Sequence, residues 1–246
     1  MKDKGGRKTT KKAIADTAAT PGMAKALKRI PIFSGLSESE AETLLKSCNT
    51  AEYAKGRTIF SENMPGNEVY LIVKGCIAVT TSGSGDMTKV LAMLKEGDFL
   101  GEMAAIETET RGATAIVYED VKLIVFTSKE FLDFVSKNSQ VSMQIIKTLC
   151  ARIRAANEEI RSFSFHGQAG RLAKTIMTLS DKFGQEQDGQ RVIDIDLTHQ
   201  DIGDMMGIAR ETVTKLLGAM KQDGSIDVRN KKVVVADRKR LAGWIT

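Results

Sequence analysis

The chain has 246 residues, 42% of them apolar, and a formal net charge of +5, which is room for two modest domains, each with its own core. Its longest apolar runs are too short to cross a bilayer, and no apolar stretch follows the N-terminal charges as a secretory leader requires, so a cytoplasmic protein with no membrane partner is expected. Three scattered cysteines, Cys48, Cys76 and Cys150, argue against a disulfide framework and fit reduced thiols.

Residues 1–22 are polar, rich in Lys, Thr and Gly, and without period, and read as a disordered basic arm. Nine Lys and Arg face two Asp within residues 1–29, and nine face six acidic groups within 198–246, whereas residues 30–197 carry eighteen basic and twenty-three acidic groups. Positive charge at both ends suits a phosphate backbone, although a solvated tail has the same composition. Residues 24–48 look helical. Ser37 and Glu40 have the spacing of a capping box, and Ile32, Phe33 and Leu36 are placed to anchor the segment on a neighbouring barrel.

Residues 50–128 change character. Val69–Val73 and Ile77–Thr81 are short and β-branched, and Pro65-Gly66, Gly75, Ser82–Gly85, Gly97 and Glu119-Asp120 punctuate the region. Many short strands at regular spacing predict a barrel or jelly roll. Within it, Gly101-Glu102-Met103-Ala104 is followed nine residues after the Glu by Arg111-Gly112-Ala113-Thr114. A carboxylate accepts hydrogen bonds from ribose hydroxyls, a guanidinium forks onto phosphate, and small residues let backbone N–H groups approach it. One ligand with a ribose and a cyclic phosphate satisfies all three, whereas a lone Glu and Arg are more often surface charges.

Residues 129–165 return to helix. Ile146, Leu149, Ile153, Ala156, Ile160 and Phe163 are spaced 3, 4, 3, 4, 3, a heptad seam of the kind that packs against a second copy of itself; a helix lying on its own domain is the alternative. Residues 198–221 then spell two short helices. Thr198 caps the first, Gly203 allows a close crossing, Gly207 makes the turn, and Ile202, Met206, Ile208, Val213 and Leu216 form the core between them. Ala209, Arg210, Glu211 and Thr212 open the second helix, whose first residues reach base edges in a helix-turn-helix. Two β-rich runs come next about a basic turn, with Lys231 and Lys232 placed to meet phosphate as a wing does.

The Gly101–Thr114 stretch resembles the phosphate-binding cassette of cyclic-nucleotide-binding domains, and Val73–Gly75 and Glu96–Asp98 fall where such domains turn their β-roll. With seam and reading head in this order, the chain from about Ile30 resembles the cyclic-AMP receptor protein/FNR family of bacterial transcription regulators. The resemblance implies an α+β fold: a jelly-roll-like β-roll over 23–140 behind the 1–22 arm, a dimerisation helix over 141–165, and a winged helix-turn-helix over 166–246.

It implies that Glu102 holds the ribose 2′-hydroxyl and Arg111 the phosphate, with Gly101, Met103, Gly112 and Ala113 around them, and Val79, Leu91 and Leu94 as the apolar wall under the base. Asn157 stands where the receptor protein has a Thr-Ser pair reaching the adenine. Gly112 replaces the Thr that favours guanine, which points to cyclic AMP as effector. Arg210-Glu211-Thr212-Val213 matches the receptor's recognition helix, so Arg210, Glu211 and Lys215 are expected to read a TGTGA inverted repeat of double-stranded DNA. Thr198, His199 and Gln200 would lie against phosphates. Lys215 stands where Arg is usual, and it makes a point contact in place of a fork.

The resemblance also implies a homodimer that meets RNA polymerase. An iron–sulfur sensor needs four cysteine ligands near the N-terminus, and a haem sensor needs a barrel histidine. The chain has no cysteine before Cys48, and its two histidines are His166 and His199, so no haem, cluster or other metal is expected. No nucleophile, base or metal-ligand constellation predicts an enzyme. The alternatives are a constitutive regulator, one gated by another ligand such as a cyclic dinucleotide, or a nucleotide-binding regulatory subunit of an enzyme or channel.

Overall fold

The computed structural model describes residues 27–28, 30–46, 48–83, 87–230 and 232–245. The expected arm over 1–22 and Lys231 lie outside the described residues. A 3-10 turn at Pro31–Phe33 precedes helix α1 (Glu38–Lys46). The segment expected to be helical over 24–48 thus holds a turn and a separate helix, which opens after Ser37 as expected. Pro31 has no N–H to continue a helix, and the chain turns at Ser34 and Gly35 before restarting. The restart has its capping box: Ser37 Oγ accepts from Glu40 N at 3.3 Å, and Ser37 N donates to the Glu40 carboxylate at 2.8 Å. Ile32, Phe33 and Leu36 are buried in one cluster with Val69, Leu71, Phe126 and Phe131.

The strands β1 (Asn49–Tyr53), β2 (Thr58–Phe60), β3 (Glu68–Ser82), β4 (Thr88–Lys95), β5 (Phe99–Leu100) and β6 (Thr114–Thr127), with the short helix α2 (Glu102–Glu107) between the last two, make a sheet ordered β1-β6-β3-β4. β2 also pairs with β6, and β5 with β3. Gly75 and Glu119-Asp120 read as punctuation in the sequence, yet β3 and β6 run straight through them. The two strands pair antiparallel from Glu68↔Thr127 to Thr80↔Thr114, with register shifts around Lys74 and Cys76 that absorb the irregularity. Gly75 sits at φ +90°, and a Cβ there would lie 2.1 Å from the Asp120 carbonyl oxygen. The glycine makes a close crossing and a bend, and the ladder hydrogen bonds continue past it.

Two helices come next, α3 (Ser128–Lys137) and α4 (Ser139–Phe165), split at Asn138. On α4 the seam residues Ile146, Ile153, Ile160 and Phe163 are 52, 60, 65 and 52% exposed. Leu149 instead packs partly against the cluster that holds Phe33.

The C-terminal elements are α5 (Gln168–Phe183), β7 (Gly184–Gln187), β8 (Gln190–Ile193), α6 (His199–Met206), α7 (Arg210–Gln222), β9 (Ile226–Arg229), β10 (Lys232–Val235) and α8 (Arg238–Gly243). Their sheet is ordered β7-β8-β10-β9, and Leu172, Ala173, Ile176 and Leu179 on α5 are buried. Asp188 and Gly189, both at positive φ, form the two-residue turn of a β7–β8 hairpin. The chain divides into two compact units: residues to Thr81 with Leu91–Cys150, and Ser82–Val90 with Ala151 onward.

Candidate ligand cassette and nucleic-acid interface

Gly101 adopts φ +89° as the residue before α2, which sets Glu102 in the first helical turn, 4% exposed. Arg111 lies on the loop after α2 and is also 4% exposed. Its backbone is pinned from both sides: Arg111 N donates to Met64 O at 2.9 Å, and Asn63 N donates to Arg111 O at 2.8 Å. The guanidinium donates from Nη1 to Gly101 O at 3.1 Å and from Nη2 to Glu68 O at 2.8 Å. It lies 4.3 Å above the Phe60 ring and 5.9 Å from the Tyr70 ring. Those rings stack at 5.8 Å, and the Tyr70 hydroxyl donates to Glu68 Oε2 at 2.5 Å. Nε is buried with no hydrogen-bond partner.

Two glycines clear the space for this side chain. A Cβ on Gly66 would lie 2.1 Å from Arg111 Nε, and one on Gly101 would lie 2.6 Å from Nη1. Burial pushes the Arg111 guanidinium below its usual pKa, opposed in part by Tyr70, Glu68 and Glu102. The group keeps its charge at neutral pH, because a guanidinium does not deprotonate in proteins. The result is a buried cation hydrogen-bonded to neutral carbonyl dipoles, with Nε unfilled. Burying a charge so is costly unless an anion compensates it, so a phosphate fits this site on both charge and hydrogen-bond count.

The remaining cassette residues are less uniform. Met103 and Gly112 are exposed, and Ala113 is partly buried. Leu94 is buried in a cluster with Tyr70, Ile77 and Val117, and Val79 packs against that cluster. Leu91 is 47% exposed. Asn157 is exposed on α4. Sequence reasoning missed Phe60, Tyr70, Glu68 and Gly66. Pro65-Gly66 reads as punctuation only, and nothing local links Phe60 to Arg111, because strand pairing brings them together.

The reading head forms as expected. Thr198 caps α6, accepting from Asp201 N at 3.1 Å while Thr198 N donates to the Asp201 carboxylate at 2.7 Å. Gly207 ends α6 at φ +67°. A Cβ on Gly203 would lie 2.7 Å from Ile208 O, so the close crossing requires glycine. Ile202, Met206 and Val213 are buried, and Ile208 and Leu216 are partly buried. Leu217 and Met220 carry the rest of the core on α7.

Ala209 is the N-cap of α7, and Arg210, Glu211 and Lys215 are exposed with Thr212 partly buried. His199 Nδ1 and Thr214 Oγ1 are 2.8 Å apart, and Gln200 Nε2 donates to Asp204 Oδ1 at 2.7 Å. In the β9–β10 wing, Lys232 is ion-paired with Asp194. A further feature had no sequence signal. Lys89 pairs with Glu159 and donates to Met205 O. Arg171 Nη1 donates to Met206 O at 3.4 Å. The Phe163 ring lies within reach of both cations, 5.5 Å from Lys89 Nζ and 4.3 Å from Arg171 Cζ. Both cations meet carbonyls at the negative end of the α6 dipole.

Residues 50–138 match the sequence profile of the cyclic nucleotide-binding domain, and residues 170–244 that of the Crp-like helix-turn-helix domain. The chain is 27% identical over 220 residues to the CRP-like cAMP-activated global transcriptional regulator of Mycobacterium tuberculosis, covering 89% of this chain and 98% of that one. It is 30% identical over 216 residues to the anaerobic regulatory protein of Bacillus subtilis, covering 86% and 90%. Among solved structures, a CooA variant from Carboxydothermus hydrogenoformans superposes with a TM-score of 0.73 at 20% identity, covering 95% and 98%. A CRP/FNR-family regulator from Thermus thermophilus gives 0.64 at 23%, covering 80% and 97%.

Matches and geometry together define a two-part regulator, a cyclic-nucleotide-binding domain ahead of a DNA-binding helix-turn-helix. The chain belongs to the CRP/FNR family, whose members are transcription regulators and not enzymes. No helix among the described residues is long and apolar enough to cross a membrane.

Proposed function

We propose that the protein is a homodimeric transcription regulator gated by cyclic AMP that binds a TGTGA-like inverted repeat. The observation that carries the ligand half is the Arg111 guanidinium, buried among carbonyls with Nε unfilled. Arg111 would take the cyclic phosphate and Glu102 the ribose, with Asn157 offering its amide oxygen to the adenine amino group. The cAMP-activated relatives at 26–27% identity support the choice of nucleotide.

The exposed apolar stripe on α4 supports a second copy as partner, since a face more than half exposed at four seam positions loses solvent-accessible apolar area on pairing. α4 ends at Phe165 and α5 begins at Gln168, so the break at His166 and Gly167 is the proposed hinge for the reading heads. RNA polymerase is the proposed downstream partner, and the cytoplasm the proposed compartment.

Fluorescence anisotropy on a TGTGA inverted-repeat duplex, with and without cyclic AMP, tests the reading. Tight binding only with nucleotide is expected. Equal binding in both states would remove the gate and keep the DNA assignment. No binding in either state would remove the assigned half-site read by Arg210, Glu211 and Lys215.

A further inference from the structure

The position of one proton in the reading head sets what His199 offers to DNA. His199 is the first residue of α6, and its Nδ1 lies 2.8 Å from Thr214 Oγ1 on α7. The Thr214 hydroxyl has a single proton and donates it to Arg210 O, one helical turn back, at 3.0 Å. With both bonds formed together, the hydroxyl oxygen is the acceptor toward His199 and Nδ1 carries the hydrogen. A neutral imidazole with its proton on Nδ1 has a bare lone pair on Nε2, on the far side of the ring from Thr214. Among the described residues no partner meets Nε2. A lone pair repels a phosphate oxygen, whereas a protonated ring presents Nε2–H as a charged donor.

We propose that His199 is a proton-dependent phosphate contact: each reading head takes up one proton at His199 when it closes on duplex DNA. The inference rests on the DNA-binding function proposed for the chain and adds a pH response to it. The charged groups around the His199–Thr214 pair are Asp201 on α6, held by Thr198, and Arg210, Glu211 and Lys215 on α7. Asp204 is engaged by Gln200. Lys89 and Arg171 meet carbonyls at the opposite end of α6. The chain contains only one other imidazole, His166, whose Nδ1 lies 3.3 Å from Ser162 Oγ. A pH response between about 5.5 and 8 thus has two side-chain sources, which substitution separates.

The experiment is anisotropy of the full-length protein, saturated with cyclic AMP, from pH 5.5 to 8.5 at fixed ionic strength. It uses the TGTGA duplex and, separately, a duplex of unrelated sequence. A phosphate contact is blind to sequence, so the second duplex reads the inference even if the assigned operator is wrong. Affinity is expected to rise on acidification by up to about tenfold per pH unit per reading head. The logarithmic salt dependence should steepen by about one unit per head at the acid end.

His199→Gln should bind more weakly at acid pH with a flat profile, and His166→Gln should keep the wild-type profile. Thr214→Val removes the hydroxyl that fixes the proton on Nδ1, so its pH dependence should shrink and its binding at pH 8.5 should strengthen. A flat wild-type profile on both duplexes overturns the proposal. So does a pH response that survives His199→Gln, or a nitrogen-15 spectrum placing the neutral His199 proton on Nε2. Loss of operator binding alone, with the response intact on the unrelated duplex, overturns only the half-site.

Discussion

Arg111 combines near-complete burial, two carbonyl acceptors and an unfilled Nε, and these make opposite demands on stability and binding. Arg111→Leu should leave the β-roll folded, because the cost of burying the guanidinium is removed along with its attraction to Glu68 and Glu102. The same change should weaken cyclic AMP at least about 100-fold, as expected for charge-assisted hydrogen bonds worth roughly 3 kcal/mol. Calorimetry beside a melting curve checks both parts. Gly66→Ala is the complementary test. Gly66 is not at positive φ, yet its new methyl would lie 2.1 Å from Nε. The fold should survive while nucleotide affinity drops.

Cysteine reactivity offers a third residue-scale test. Burial pushes the half-buried Cys48 thiol up to about 12, while Cys150 is exposed. The thiolate is the nucleophile, so at pH 8 a maleimide should label Cys150 well before Cys48, as peptide mapping would show. Glu102 and Arg111 were legible because their chemistry lies within one short stretch. Phe60 and Tyr70 were not, because an aromatic platform assembled from β2 and β3 leaves no mark near Arg111 in the chain.

At the scale of elements, the reading head was legible to the residue where backbone geometry demands a particular residue type. Thr198 and Gly207 are such positions, one capping α6 and one ending it in the left-handed region. Thr198→Ala should cost about 1 kcal/mol, and Gly207→Val more than about 1–2 kcal/mol, both measured by urea denaturation. Apolar spacing was a weaker guide. Leu216 was expected in the core, but Leu217 is the more deeply buried of the two, since adjacent leucines at a helix face satisfy the same period.

The long strands were misread for a physical reason. Gly75 and Glu119-Asp120 weaken local strand preference, but they fall within register shifts on both sides of which the β3–β6 ladder continues, and pairing overrides propensity. The seam on α4 yields its own test. Ile153→Asp on the exposed stripe should give a monomer by analytical ultracentrifugation. Operator affinity should then fall at least about 100-fold, since one reading head alone spans half the repeat.

At the scale of the whole molecule, a ligand gate is a coupling free energy, and coupling is reciprocal. If cyclic AMP raises operator affinity by some factor, operator must raise cyclic AMP affinity by the same factor. Titrating nucleotide with and without saturating operator should return that number. A ratio of one would leave the cassette and the reading head thermodynamically independent. Order along the chain was legible, because β-branched runs, heptad spacing and helix caps change abruptly at their borders. The Lys89–Phe163–Arg171 cluster was invisible, since its members come from β4, the long helix and α5.

The pairing of β3 with β6 has a consequence for how quickly the protein assembles. Tyr70 meets Val125, with β4, β5 and α2 between them in the chain. That contact must close a long loop before its ladder yields stabilisation, and such topology slows folding. In the C-terminal unit the β7–β8 hairpin, α6 against α7, and the β9–β10 wing each join chain neighbours, and β8 then pairs with β10 across α6 and α7. This unit also holds the chain's single tryptophan, Trp244, whose Nε1 donates to Asp223 at 2.7 Å. After dilution from denaturant, tryptophan fluorescence should recover in a fast phase, ahead of the recovery of nucleotide binding, so the reading head would be shaped while its sensor is still searching for register.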